Sequence, residues 1–110
     1  MRHITINNAD VPFNLTYSIF KYGVTIVPKG KNDIDLAISS AEMVEKIALK
    51  AINKGYKKEG SAKELSHDDL IELMDSDVAA FGLLKDAVTE DMAQFTKSSD
   101  DSTEGEEGKK

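Results

Sequence analysis

The chain has 110 residues, of which 40% are apolar, and this is enough for the core of one modest domain and too little for two. Its 20 Asp and Glu against 14 Lys and Arg give a net charge of −6, which argues against binding to nucleic acid or to an anionic membrane surface. It contains no cysteine, which excludes a disulfide framework, a thiolate metal site and a cysteine nucleophile.

The first elements in the chain indicate a β-hairpin. Residues 3–6, His-Ile-Thr-Ile, and residues 11–15, Val-Pro-Phe-Asn-Leu, alternate as half-buried strands do. The cluster Asn-Asn-Ala-Asp at 7–10 favours a turn. Pro12 cannot donate a ladder hydrogen bond, so the second strand should have an edge there. One buried face is expected to hold Ile4, Ile6, Phe13 and Leu15.

The next segment is ambiguous. A short helix over residues 16–22 would be capped by Asn14 or Thr16 and closed by the glycine that follows. Residues 23–28, Gly-Val-Thr-Ile-Val-Pro, indicate a short extended run, and residues 29–32 indicate a polar loop.

A long amphipathic helix is predicted from an N-cap at Asp33 to a stop at Gly55, followed by a loop over residues 56–63. Its lysines crowd the carboxyl end, where positive charge suits the helix dipole. The apolar stripe has helical spacing throughout and consists of Ile34, Ala37, Ile38, Ala41, Val44, Ile47, Ala48, Ala51 and Ile52.

Two further helices follow. Ser66 and Asp69 have the spacing of a capping box and open a short helix, which breaks and restarts at residues 75–77. Gly82 lies inside the last helix at a cost of about 1 kcal/mol relative to alanine, and it either admits a closely packed neighbour or is tolerated without such a role. The apolar face of that helix is predicted to comprise Val78, Phe81, Leu84, Val88, Met92 and Phe95.

Residues 97–110 contain no apolar side chain, so this tail cannot offset its own ordering entropy, and we expect it to be disordered. Residues 1–96 are expected to form a single globular domain. The fold class is therefore predicted to be α+β, with a small N-terminal β-hairpin or sheet packed on three to four α-helices and a charged C-terminal tail.

Charge is unevenly distributed along the chain. Residues 1–63 carry a net charge of +4, residues 64–96 carry −8, and residues 97–110 carry −2. Such a difference is common between solvated faces. It is also the pattern of a dipolar body that docks on copies of itself, and on that interpretation salt-sensitive self-association is expected.

Few residues offer chemistry. His67, Asp68 and Asp69 are adjacent and could be imagined as metal ligands, but they start a helix and point in different directions, which favours a solvated first turn. Asp75 and Asp77 have the position of caps. The residues therefore predict no catalytic site, no metal site and no cofactor, and the chain is not expected to be an enzyme. Three aromatic residues near the edge strand are candidates for a partner-binding surface: Tyr17, Phe20 and Tyr22.

The order of these parts resembles the small tail assembly chaperones of long-tailed, siphovirus-type bacteriophages and prophages. Those proteins open with a hairpin of the form I-x-I-N, polar turn, V-P-F-x-L, which matches residues 4–7 and 11–15. A longer helix ending in small residues and glycine matches residues 48–55. A helix opened by Ser-x-x-Asp or Glu matches residues 66–75, before a last amphipathic helix and a charged tail.

The resemblance implies a binding protein of the host bacterial cytoplasm. Such chaperones coat the hydrophobic tape measure protein while the tail tube protein polymerises around it, and then leave, so none is expected in the mature virion. No apolar run approaches the roughly 18 residues of a membrane span, and the N-terminus lacks the apolar region of a signal peptide. We therefore expect no membrane partner. The net negative charge leads us to expect no nucleic-acid partner either.

The family also implies ribosomal frameshifting. Many of these chaperones have a second, longer form made by a frameshift near the end of the gene. The codons of the final Gly-Lys-Lys, residues 108–110, can form a slippery heptamer. We therefore expect this chain to be the short, unshifted product, which the nucleotide sequence across these codons would test.

Two other classes remain open. One is an acidic accessory interaction protein of a bacterial or phage complex. The other is a DNA-mimic anti-restriction protein, although the basic segment over residues 1–63 argues against a continuous phosphate-like stripe. The neighbouring genes would separate these classes, because a tape measure gene downstream and a tail tube gene upstream would favour the chaperone.

Overall fold

A computed structural model of the protein describes residues 1–26 and 28–101, with the backbone alone for residues 97–101. Over these ranges the hairpin packs on helices, which confirms the predicted α+β class and its architecture. The elements are β1 (Arg2–Ile6), β2 (Ala9–Phe13), α1 (Tyr17–Gly23), α2 (Asp33–Lys58), α3 (His67–Ser76) and α4 (Ala80–Asp101).

The hairpin is antiparallel, with Ile6 opposite Ala9 across a two-residue turn. That turn is shorter than the predicted one because Asn7 and Asn8 both have positive φ, of 51° and 65°, which asparagine tolerates and which tight hairpin turns require. The predicted buried face is confirmed, since all four of its side chains are buried: Ile4, Ile6, Phe13 and Leu15.

The segment after α1 turns instead of extending. Thr16 is at the N-cap position of α1, as one of the two alternatives predicted, but its side chain makes no capping hydrogen bond. The Val24 N–H donates to the Phe20 carbonyl, and the Thr25 N–H donates to the Tyr22 carbonyl. The predicted extended run is therefore wrong at its start, because these residues satisfy the last carbonyls of the helix. Val27 lies outside the described residues.

The N-cap of helix α2 lies one residue before the predicted one, and the helix ends later than predicted. Its N-cap is Asn32, whose side chain accepts a hydrogen bond from the Asp35 N–H at 2.8 Å. The helix continues past Gly55 to Lys58, and Tyr56, expected in a loop, is buried. The prediction that Gly55 stops the helix is therefore wrong.

Gly55 has a packing role instead. A Cβ at this position would lie 2.8 Å from the Cβ of Pro12 and 3.1 Å from the Phe13 nitrogen. The hairpin backbone thus approaches α2 at a distance that only glycine permits. Next to this contact the Asn14 N–H donates to the Ala51 carbonyl at 2.9 Å, which ties the end of β2 to the same helix.

The capping box that opens α3 is confirmed. The Asp69 N–H donates to the Ser66 hydroxyl at 3.1 Å, and the Ser66 N–H donates to the Asp69 carboxylate at 3.0 Å. The predicted break after α3 is confirmed as well, because α3 ends at Ser76. The Asp77 carboxylate then accepts from the Ala79 N–H at 3.0 Å and from the Asn7 N–H at 2.9 Å, so it joins the hairpin turn to the start of α4.

These two backbone hydrogen bonds hold the pKa of Asp77 below its ordinary value of 3.8, because they favour the ionised form. The contribution of these hydrogen bonds to the free energy of unfolding is therefore complete at pH values above 3.8, and it is lost as the pH falls through the lower pKa of the folded state.

Asp77→Asn should lower the free energy of unfolding at neutral pH and make the decrease of this free energy in acid shallower. Urea unfolding at a series of pH values from neutral pH down through the pKa of Asp77 measures both effects. Asp86→Asn, at an exposed position on α4, is the control. An acid profile identical to that of the wild type would contradict the assignment.

The core is one cluster to which the hairpin and all four helices contribute. From the C-terminal half, Leu70 of α3 and Leu84 and Val88 of α4 are buried in it. Helix α4 runs past Thr96 to Asp101, and residues 102–110 lie outside the described residues, so the disorder expected of the tail stays a prediction.

Candidate functional site

The three aromatic residues proposed from the sequence fall on two different surfaces. Tyr17 and Phe20 lie on α1 beside Phe95 of α4, with ring centroids 6.2 Å apart for Tyr17 and Phe95 and 5.0 Å apart for the stacked pair Phe20 and Phe95. Tyr17 is 64% exposed, whereas the other two rings are partly buried. We call these three residues the aromatic cluster.

Tyr22 lies apart from that cluster. It lines a groove between α1, the carboxyl half of α2 and the loop that follows, with a cavity volume of about 710 Å³. The Lys50 ammonium lies 4.6 Å from the centroid of the Tyr22 ring, a cation–π distance. The sequence therefore placed Tyr22 with the wrong neighbours, because positions 17 and 20 share one face of the helix whereas position 22 lies on another.

The largest departure from the predicted core lies at the start of α2. Ile34 is 72% exposed and Ile38, one turn later, is 56% exposed, so both stand on one uncovered helix face. Leu36, two residues after Ile34, is 44% exposed on the opposite side of the helix. The prediction that Ile34 and Ile38 belong to the core is wrong, because the buried side of α2 begins only at Val44. We call Ile34, Leu36 and Ile38 the apolar start of α2.

A smaller apolar surface lies where α3 meets α4. Val78 is 99% exposed and Phe81 is 37% exposed, against the prediction that both face the core. Val78 precedes the first helical residue, Ala80, so helical spacing does not apply to it. Helical periodicity correctly found Leu84 and Val88, which lie inside the helix.

The groove beside Tyr22 is basic. Lys50, Lys54 and Lys57 of α2 line it together with Lys63 and Glu64 of the following loop, so four ammonium groups stand against one carboxylate. Asn53 fixes that loop, since its side-chain amide donates to the Leu65 carbonyl at 3.0 Å and its amide oxygen accepts from the Leu65 N–H at 2.8 Å. We call Tyr22 and these four lysines the lysine groove. Its signal in the sequence was the crowding of lysines near the end of the helix.

The ion pairs among the described side chains lie elsewhere. Arg2 of β1 reaches Asp91 at 2.5 Å and Glu90 at 3.2 Å on α4. The imidazole of His3 is hydrogen-bonded to the Glu59 carboxylate. His67 lies 2.9 Å from Glu45. Within the described residues, no group of three or more His, Asp or Glu side chains is arranged to hold a metal ion.

The geometry therefore offers surfaces for protein contact: the apolar start of α2, the aromatic cluster, the junction of α3 with α4, and the lysine groove. Comparison with protein-family models, with curated proteins and with solved structures finds no match to this chain. Over residues 1–26 and 28–101, none of the helices has both the length and the apolar character needed to cross a membrane.

Proposed function

We propose that this protein is a tail assembly chaperone of a long-tailed bacteriophage or prophage, which binds apolar helical segments of the tape measure protein and keeps them in solution. The observation that carries the proposal is the apolar start of α2, where three large side chains are exposed within two helical turns. A binding role, without catalysis, is what such a surface supports.

The physical basis is burial of apolar area. An isoleucine moved from water into an interface contributes about 1.5–3 kcal/mol, so Ile34 and Ile38 together supply a useful fraction of a micromolar affinity. Two side chains one turn apart fit the apolar face of an amphipathic partner helix. The exposed ring of Tyr17 in the aromatic cluster offers a second contact of the same kind.

The charge of the chain suits the same role. A net charge of −6 raises the solubility of a complex with an apolar partner, and it disfavours nucleic acid as a ligand. In this proposal the protein acts in the host bacterial cytoplasm during assembly, is absent from the mature virion, and also meets the tail tube protein as that protein polymerises.

Co-expression with the tape measure protein encoded beside its gene tests the proposal. The wild-type chain should move the tape measure protein from the insoluble to the soluble fraction. Ile34→Ser with Ile38→Ser should abolish most of this effect while leaving the melting temperature nearly unchanged, because both side chains are exposed in the free protein. The control is Val78→Ser, which removes an exposed apolar side chain between α3 and α4 and should retain the wild-type effect.

Equal solubility of the tape measure protein with and without the chain would contradict the proposal. Displacement of the bound chain by duplex DNA would favour the DNA-mimic class instead. A chain that leaves the tape measure protein insoluble, yet is recovered bound to another tail component, would favour an accessory interaction protein.

A further inference from the structure

Two charged stripes of opposite sign have the same spacing on two helices. Lys50, Lys54 and Lys57 on α2 stand at positions i, i+4 and i+7, and so do Asp68, Glu72 and Asp75 on α3. In each stripe, the second and third residues therefore lie about 6 Å and about 10.5 Å from the first residue along the helix axis. All six side chains belong to exposed residues. We call the α3 carboxylates the acidic stripe.

Neither stripe forms an ion pair within the part of the chain whose side chains are described, residues 1–26 and 28–96. The Lys50 ammonium lies over the Tyr22 ring, and the Lys63 ammonium lies 5.4 Å from the Tyr56 ring centroid. Lys63 also attracts the Asp69 carboxylate, which adds to the hydrogen bonds with Ser66 in lowering the pKa of Asp69. Like charges one turn apart on a helix repel each other, so each stripe gains from a partner of opposite sign.

We propose that the lysine groove of one molecule binds the acidic stripe of a second copy of this chain. The matching number, spacing and opposite sign of the charges argue for this occupant. The contact does not involve the apolar start of α2, so it goes beyond the proposed chaperone function and stands independently of it.

The shape of the groove strengthens a contact that would be weak on a flat surface. Single exposed ion pairs contribute little, because water screens them and long side chains lose freedom. Here the lysines surround a concavity whose wall includes Ile19, Leu49 and Leu65, so a helix seated in it excludes water from several pairs at once. The resulting association should depend strongly on ionic strength.

Charge reversal on each side tests the contact. Sedimentation velocity of the full chain at about 0.01 M and about 1 M salt, where charges are screened over about 30 Å and about 3 Å, should show association only at low salt. Lys54→Glu with Lys57→Glu should weaken it at least about tenfold, and so should Glu72→Lys with Asp75→Lys. An equimolar mixture of the two variants should associate again, because the native groove of one meets the native stripe of the other.

Matched controls keep the test specific. Lys29→Glu with Lys31→Glu makes the same charge change on exposed residues before α2 and should associate like the wild type. Circular dichroism of every variant checks the fold, and the mixture checks the surfaces even if one variant is less stable. A wild type that is monomeric at every concentration and salt, a mixture that stays monomeric, or association that persists at high salt would overturn the proposal. Binding of tripolyphosphate to a groove that never takes up a second copy would overturn it as well.

Discussion

Replacing Phe13 with alanine should lower the free energy of unfolding by about 3–5 kcal/mol, the range found for a large aromatic side chain removed from a packed core. Phe13 is among the largest fully buried side chains and lies on β2 where the hairpin meets α2. Because small domains are stable by only about 5–15 kcal/mol, this single change removes a large part of the total. Urea unfolding followed by far-UV circular dichroism measures it.

Phe81→Ala is the matched control, since it removes the same atoms from a side chain that is already 37% exposed. Its cost should be smaller, about 1–2 kcal/mol. Equal losses at the two positions would mean that the hairpin does not dock on α2 as described.

Gly55→Ala should also destabilise the protein, by about 1–2 kcal/mol. The added methyl group would meet Pro12 at 2.8 Å and backbone atoms of Pro12 and Phe13 at 3.0 and 3.1 Å, so the hairpin must shift away from the helix. Overpacking of this kind costs about 1–3 kcal/mol, and the better helix propensity of alanine returns at most about 1 kcal/mol.

Gly82→Ala should change stability in the opposite direction. Beyond its own helix backbone and chain neighbours, no described atom lies within 4 Å of the Cβ that alanine would add there. Only the propensity gain remains, so the free energy of unfolding should rise by up to about 1 kcal/mol. Thermal and urea unfolding of Gly55→Ala and Gly82→Ala measure the two changes in the free energy of unfolding. Changes of the same sign would contradict this account.

Local signals predicted the local structure well. The buried hairpin face and the capping box of Ser66 and Asp69 depend on alternation and on side chain to backbone hydrogen bonds within a few residues, and both are confirmed. Gly55 shows the limit of such signals. A glycine near the end of an apolar stripe has the same local pattern whether it ends a helix or admits a neighbouring strand, and only the hairpin decides which.

The candidate surface was predicted only in part. Ile34 and Ile38 continue the periodic stripe of α2, and periodicity states which side chains share a face without stating what covers that face. Tyr17 and Phe20 were found as candidates, but Phe95 was assigned to the core, because its approach to α1 depends on how α4 crosses the fold. The shared spacing of the two charged stripes can be read from the sequence. That the lysines line a groove depends on how α1 and the loop after α2 pack beside α2, which the sequence does not show.

The stacking of Phe20 on Phe95 has a consequence for synthesis on the ribosome. The two rings are 75 positions apart, so α1 is complete long before its partner residue is translated. Until α4 has left the exit tunnel, the rings of Tyr17 and Phe20 and the side of α2 on which α4 packs stay open to other apolar chains. The hairpin and α2 can dock earlier, since both lie within the first 58 residues. The nascent chain therefore passes through a stage at which its hairpin and α2 are docked while apolar surfaces of α1 and α2 are still exposed and open to aggregation.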